Sequence, residues 1–173
     1  ELGVKIQEGQ FIGVYPDGIS RSWNIGREDS TADDVAFTES ILTALEGVSG
    51  LTTERPVAIG FSNGAAMVHK LAMNSSLFAA IVPQSSALTQ ADLPESTDAK
   101  VSVLQLHGTE DDSCPYDGGV GVMGHDFLAA EESAATWAAH NGCDDIAEES
   151  QHNNGLVTRF EWPNCEDGRA VVH

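Results

Sequence analysis

Residues 60–64 read Gly60-Phe61-Ser62-Asn63-Gly64, a serine between two glycines in a G-x-S-x-G pattern. A serine hydroxyl attacks a carbonyl only when it is held clear of the backbone, beside a base that can take its proton. The apolar run 56–60 reads as a strand, and the small residues that follow, with Met67 and Leu71, read as a helix over 63–73. The serine therefore sits at a strand-to-helix turn. Such a turn crowds backbone against backbone, which calls for glycine on both sides. The helix start aims its free N–H groups at an oxyanion forming beside the serine. Ser62 is the candidate nucleophile, and the N–H of Asn63 is a candidate oxyanion donor. The bland alternative is a glycine-rich turn with an idle serine. With 17 glycines in 173 residues a chance match is not rare, and the strand–helix setting is what outweighs it.

A nucleophilic serine needs a base, and the base needs a carboxylate to orient it. After the apolar run 101–106 comes His107-Gly108-Thr109-Glu110-Asp111-Asp112. A carboxylate just past a strand end lies at the carboxyl edge of a parallel sheet, beside a serine placed as above. Asp111 is the candidate acid; Glu110 and Asp112 read as surface charges, and a turn cap is the plain alternative for Asp111. In the order serine, acid, histidine, the base should follow Asp111. None of the six histidines is assigned that role. His69 reads as a surface or packing residue, His107 as structural, His125 and His140 as brackets of a helix, His152 as part of a polar loop, and His173 as part of the last strand.

These residues must be positioned by a framework. Short apolar runs alternate with helical periodicity, the pattern of strand–helix–strand units around a mostly parallel sheet flanked by helices. One α/β domain over 1–173 is expected. A strand over 11–15 is stopped by Pro16-Asp17-Gly18. A helix starts at Asp33 or Asp34, with Phe37, Ile41 and Leu45 along one face. Further strands are expected over 78–82 and 101–106. Asp126 reads as the N-cap of a helix through 139, with Phe127, Ala130, Ala134 and Trp137 inward and Gly142 as its stop. A final strand pair, 157–162 and 169–173, surrounds the turn 164–168, and the last strand runs off the chain.

Gly119-Val120-Gly121-Val122-Met123-Gly124 matches G-x-G-x-x-G, but no strand leads into it, so it reads as a loop near the site and not a dinucleotide cradle. No motif for a metal or a phosphate is present, and Asp144, Asp145, Glu148 and Glu149 read as a solvated face. Hydrophobic residues make up 41%, enough for a core. Eight Lys and Arg face 27 Asp and Glu, a formal charge of −19, which repels phosphate backbones and anionic lipid. Neither a nucleic acid nor a membrane partner is expected. No apolar run approaches the ~18 residues of a membrane span, and no leader segment is visible. The first residue is Glu1 and not Met, so the start reads as processed or missing. Of three cysteines, Cys143 and Cys165 flank a polar stretch that a disulfide could close in a secreted protein, leaving Cys114 over. Three reduced thiols in a cytosolic enzyme are the alternative.

An ordered set of motifs runs along nearly the whole chain. It comprises Tyr15-Pro16-Asp17-Gly18, Arg21-Ser22-Trp23-Asn24, Asp33-Asp34-Val35-Ala36-Phe37, the serine segment, Phe78-Ala79-Ala80-Ile81 and His107-Gly108-Thr109 with Asp111. Pro115-Tyr116-Asp117-Gly118-Gly119 and Trp137 with Asn141-Gly142-Cys143 complete it. Together they resemble the esterase family of polyhydroxybutyrate depolymerases and feruloyl or acetyl-xylan esterases. The resemblance implies an α/β-hydrolase fold, a Ser–Asp–His triad, a secreted or periplasmic location and no cofactor. It implies that Ser62 is the nucleophile, Asp111 the acid, Cys143 and Cys165 a disulfide, Trp23 and Asn24 the rim of the site, and Asp34 a structural buttress. It implies, as substrate, an ester of the plant cell-wall or polyester type, cleaved through an acyl-enzyme. Two family segments are not found: the His-Gly oxyanion loop that would precede residue 1, and the Gly-His-x-Trp-Pro segment that would follow the last strand. A domain partial at both ends is therefore expected. The alternative function is a non-catalytic remnant or binding module that keeps the scaffold without a base.

Overall fold

The computed structural model describes residues 11–51 and 56–173. Strands β1 (Val57–Phe61), β2 (Ala80–Gln84) and β3 (Ser102–Leu104) pair in parallel, and β8 (Val171–Val172) joins them in parallel beside β3. β7 (Val157–Trp162) then runs antiparallel to β8, and β6 (Glu148–His152) antiparallel to β7. The order across the sheet is β1-β2-β3-β8-β7-β6. A separate hairpin joins β4 (Gly119–Val120) to β5 (Asp126–Phe127). Among the described residues three α-helices complete the framework: α1 (Asp34–Leu45), α2 (Asn63–Asn74) and α3 (Ala130–His140). This is the mostly parallel, helix-flanked α/β architecture that the alternation of runs predicts.

Helices α2 and α3 pack on one face of the sheet. Met67, Val68 and Leu71 of α2 and Ala134, Trp137 and Ala138 of α3 share a buried cluster with Ile81, Val103, Trp162 and Val171. Removing side chains such as Ile81 and Val103 from water stabilises the fold by about 1.5–3 kcal/mol each. Strand alternation sends the neighbouring residues the other way, and there Val57, Ile59, Phe61, Leu104 and Leu106 remain exposed.

Several sequence expectations shift. The segment 11–15 is not a strand: among the described residues it has no ladder partner, and β-propensity alone does not supply one. Helix α1 does start at Asp33, whose carboxylate accepts the Ala36 N–H at 3.0 Å. However, it turns Phe37 to solvent and packs Val35 and Leu42 on the core. The second strand begins two residues later than the run 78–82 suggests. Asp126 does not cap α3: it lies in β5, paired with Val120, and Ala129 is the N-cap. All four residues expected to point inward there, Phe127, Ala130, Ala134 and Trp137, are buried. The acidic stretch with Glu148 and Glu149 is an edge strand, β6, and His152 ends it; charged side chains suit an exposed edge. The final pair of strands forms as expected. Cys143 and Cys165 are joined by a disulfide, and Cys114 is a buried free thiol whose pKa burial pushes up to about 11.

Candidate active site

The strands β1, β2 and β3 end level with one another. Phe61 pairs with Gln84, and Gln84 bridges Leu106. One step on, the Ser62 N–H donates to the Gln84 carbonyl at 2.9 Å, and the Ser85 N–H to the Leu106 carbonyl at 2.9 Å. The segments carrying Ser62 and Asp111 therefore leave the same carboxyl edge of the parallel sheet.

Ser62 has φ 54° and ψ −120°, a conformation that an L-residue adopts at a cost of roughly 1–3 kcal/mol and keeps only when its surroundings impose it. Gly60 shows what imposes it. A Cβ there would lie 2.0 Å from the Gly64 carbonyl oxygen, so the start of α2 folds back on β1 where only hydrogen fits. Gly64 departs from expectation. A Cβ on it would meet nothing closer than Trp23 at 3.8 Å, so the crowding that demands glycine acts on one side only. The Ser62 side chain is exposed, and among the described residues its Oγ has no hydrogen-bond partner. The Ala65 and Ala66 N–H groups turn back to the Ser62 carbonyl at 2.8 and 3.1 Å. The Asn63 N–H has no backbone acceptor among the described residues, as expected for the first N–H of a helix.

The loop 23–28 lies against this turn. Asn63 Oδ1 accepts the Trp23 N–H at 2.7 Å, and Asn63 Nδ2 donates to the Trp23 carbonyl at 3.0 Å. Asn24 is a structural knot. Its N–H donates to Asp34 Oδ2 at 2.7 Å, its Nδ2 to the Ala32 carbonyl at 2.9 Å, and its carbonyl accepts Lys70 Nζ at 2.7 Å. Asp34, 5% exposed, thus anchors the loop to α1. Neither Glu28 nor His125 carried a sequence signal, yet they close this cluster. His125 Nε2 lies 3.4 Å from Glu28 Oε1, across 97 positions of chain. Burial raises the Glu28 pKa, but hydrogen bonds from the Ile25, Arg27 and Glu28 backbone and from His125 outweigh it and leave the carboxyl below its ordinary value.

Asp111 is held by its own turn. Oδ1 accepts the N–H groups of Ser113 and Cys114, both at 2.9 Å, and the Asp111 N–H donates to the Gly108 carbonyl at 3.2 Å. With Oδ1 occupied, Oδ2 is the oxygen available to an imidazole. Its near neighbour is His107 Nε2 at 3.7 Å, but that nitrogen is 2.8 Å from the Cys114 carbonyl and the His107 side chain is fully buried. His107 is thus structural.

The other histidines are engaged elsewhere. His69 is buried, with Nδ1 accepting the Trp137 indole N–H at 3.0 Å. Burial pushes its pKa down to about 3, the Ser86 backbone opposing and His107 adding to the shift. His173, also lowered by burial, faces Gln105 Nε2 at 3.3 Å and the Tyr116 hydroxyl at 3.2 Å. His140 Nε2 lies 3.4 Å from the Ala99 carbonyl, and His152 pairs with Ser150. Among the described residues no group of three or more His, Cys, Asp or Glu side chains could hold a metal ion. A groove of about 450 Å³ opens beside α3, lined by Glu131, Ile146, Phe160 and Trp162 among others; it does not touch Ser62 or Asp111.

A serine in a strained turn between a parallel strand and a helix, with a carboxylate leaving the same sheet edge, defines a protein of the α/β-hydrolase class. A family model of phospholipases and carboxylesterases matches residues 27–142, and the chain belongs to that family. It is similar to feruloyl esterase B of Piromyces equi, 26% identical over 179 residues, covering 96% of this chain and 32% of the relative. It is also similar to feruloyl esterase C of Emericella nidulans, 27% identical over 161 residues, covering 91% of this chain and 53% of the relative. The chain thus spans between a third and about half of these relatives' length.

Proposed function

We propose that this chain is the serine-bearing part of a carboxylic-ester hydrolase working through an acyl-enzyme. The observation that carries the reading is the backbone of Ser62, held at φ 54° with its hydroxyl exposed at the sheet edge that Asp111 also leaves. Ser62 Oγ attacks the ester carbonyl and passes its proton to a base. The oxyanion forms beside the Asn63 N–H, whose donation costs no reorganisation as the charge develops. The tetrahedral intermediate collapses, the alcohol takes the proton and leaves, and water then releases the acid from Ser62. Asp111 Oδ2 orients the imidazolium that appears in both steps. We assign that role to none of the six histidines in this sequence, each of which has the partner described above.

The names of the two relatives favour a feruloyl ester as substrate, ahead of acetyl or hydroxyalkanoate esters. The disulfide favours an oxidising compartment, hence a secreted or periplasmic protein. A second reading, a scaffold that binds without hydrolysis, draws on the engagement of all six histidines. Hydrolysis of a panel of feruloyl, acetyl and hydroxybutyrate esters by the full-length protein separates the two. The proposal expects feruloyl ester turnover that Ser62→Ala lowers by ~10³-fold or more; no turnover favours the scaffold, and turnover that survives Ser62→Ala removes Ser62 as the nucleophile.

A further inference from the structure

The residue after the candidate nucleophile is held by partners remote in sequence. The Asn63 carboxamide makes a reciprocal pair with the Trp23 backbone, which fixes which end is oxygen and which nitrogen. Its Nδ2 also faces Glu28 Oε1 at 3.5 Å. The other oxygen of Glu28 accepts the N–H groups of Ile25 at 2.7 Å and Arg27 at 3.1 Å, so the carboxylate cannot swing away without leaving both unpaired. Oε1 is then met from the far side by His125 Nε2 at 3.4 Å, with the two side chains only 8% and 7% exposed. A carboxylate withdrawn this far from water needs each of its partners, and loss of one leaves a buried charge uncompensated.

His125 belongs to the hairpin 119–127, whose other side rests on the turn that holds Asp111. The Val122 N–H donates to the Ser113 carbonyl at 2.8 Å, and the Gly118 N–H to the Pro115 carbonyl at 2.9 Å. Gly121 packs so closely there that a Cβ would lie 2.4 Å from the Ser113 carbonyl and 2.9 Å from the Pro115 ring. The hairpin therefore reaches from the Asp111 turn to the residue beside Ser62.

We propose that Glu28 and His125 form a latch that positions Asn63, tying the oxyanion-binding start of α2 through the hairpin 119–127 to the turn of Asp111. Both are positioning residues: they touch Asn63 and its loop, not the substrate. The need for a latch follows from the strained Ser62 backbone, which relaxes unless neighbouring residues hold it. A displacement of ~1 Å at a reacting group can cost ~10²-fold in rate. The catalytic consequence rests on the hydrolase reading above, whereas the latch itself does not.

The experiment compares Glu28→Ala, His125→Ala, Glu28→Gln and His125→Gln in the full-length protein by two readouts. The first is amide hydrogen exchange at Trp23 and Ile25, with the β6–β7 amides as a folding control. The alanine variants should speed exchange at Trp23 and Ile25 by ~10-fold or more with β6–β7 unchanged. His125→Gln, whose amide can reach the place of Nε2, should restore much of the protection. The second readout is kinetic, on the ester that the wild type hydrolyses: kcat should fall by ~10- to 10²-fold in the alanine variants with KM within ~3-fold. Unchanged exchange at Trp23 and Ile25 overturns the latch. Faster exchange with unchanged kcat overturns its positioning role. If an alanine variant loses β6–β7 protection, Glu28→Gln, which keeps the shape but removes the charge, decides the matter by the same criteria. If the wild type hydrolyses no ester, the functional reading falls, and the exchange data still decide whether the latch exists.

Discussion

Asp111 is held by N–H groups two and three residues ahead of it, whereas Asn63, beside the serine, is held by Trp23 and Glu28 at separations of 40 and 35 residues, and Glu28 by His125 at 97. The acid half of the candidate site is a local turn that brings its own donors. The serine half is local only in its backbone, where Gly60 and the start of α2 force the bend. Its side-chain support is assembled by the tertiary fold. The two halves should therefore respond differently to substitution, the acid through chemistry and the serine side through structure.

The largest contrast is expected at Asp111. Asp111→Asn keeps an oxygen for the Ser113 and Cys114 N–H groups but removes the charge that favours an imidazolium. Ester hydrolysis by the full-length protein should fall by ~10²- to 10⁴-fold while thermal stability barely moves. A stability loss matching the rate loss would make Asp111 a turn residue only. Gly60→Ala should do the reverse. Its Cβ meets the Gly64 carbonyl at 2.0 Å, so the elbow must open, and a denaturant melt should show a loss of about 3 kcal/mol or more.

His69, two turns along α2, tests the same long-range support by pH. Its pKa is depressed from 6.5 to about 3 in the fold, so the unfolded chain binds a proton that the native state refuses between those values. Its contribution is complete above pH 6.5 and is lost as the pH falls toward 3. Urea melts should lose about 2 kcal/mol more between pH 7 and 4.5 in the wild type than in His69→Gln. Equal losses would show that burial does not keep His69 neutral. The smallest effect is expected at Gly64→Ala, where an added methyl group has room; stability should stay the same or rise by up to about 1 kcal/mol, since alanine favours a helix.

The same division explains what could be read from the sequence. Ser62 in its strand–helix turn and Asp111 just past a strand end are short-range patterns, and their placement at one sheet edge follows from strands that end level. Helix α1 was legible for the same reason, with its start left between Asp33 and Asp34. The latch was not, because nothing near Glu28 or His125 distinguishes them from other surface residues until the fold brings them together. The segment 11–15 failed in the opposite sense: its β-rich composition is plain, but a strand also needs a partner, and none pairs with it among the described residues. Asp126 looked like a helix cap, yet pairing with Val120 claims it first. Glycine was expected on both sides of Ser62, but only the folded backbone reveals that the crowding falls on Gly60.

The central claim is that the exposed hydroxyl in the bend after β1 is a nucleophile, and a fluorophosphonate ester tests it directly. The full-length protein would be labelled, digested and mapped by mass spectrometry, alongside Ser62→Ala. The account predicts a single adduct on the peptide containing Ser62, absent from the variant. An adduct on another serine, or equal labelling of both proteins, would contradict it.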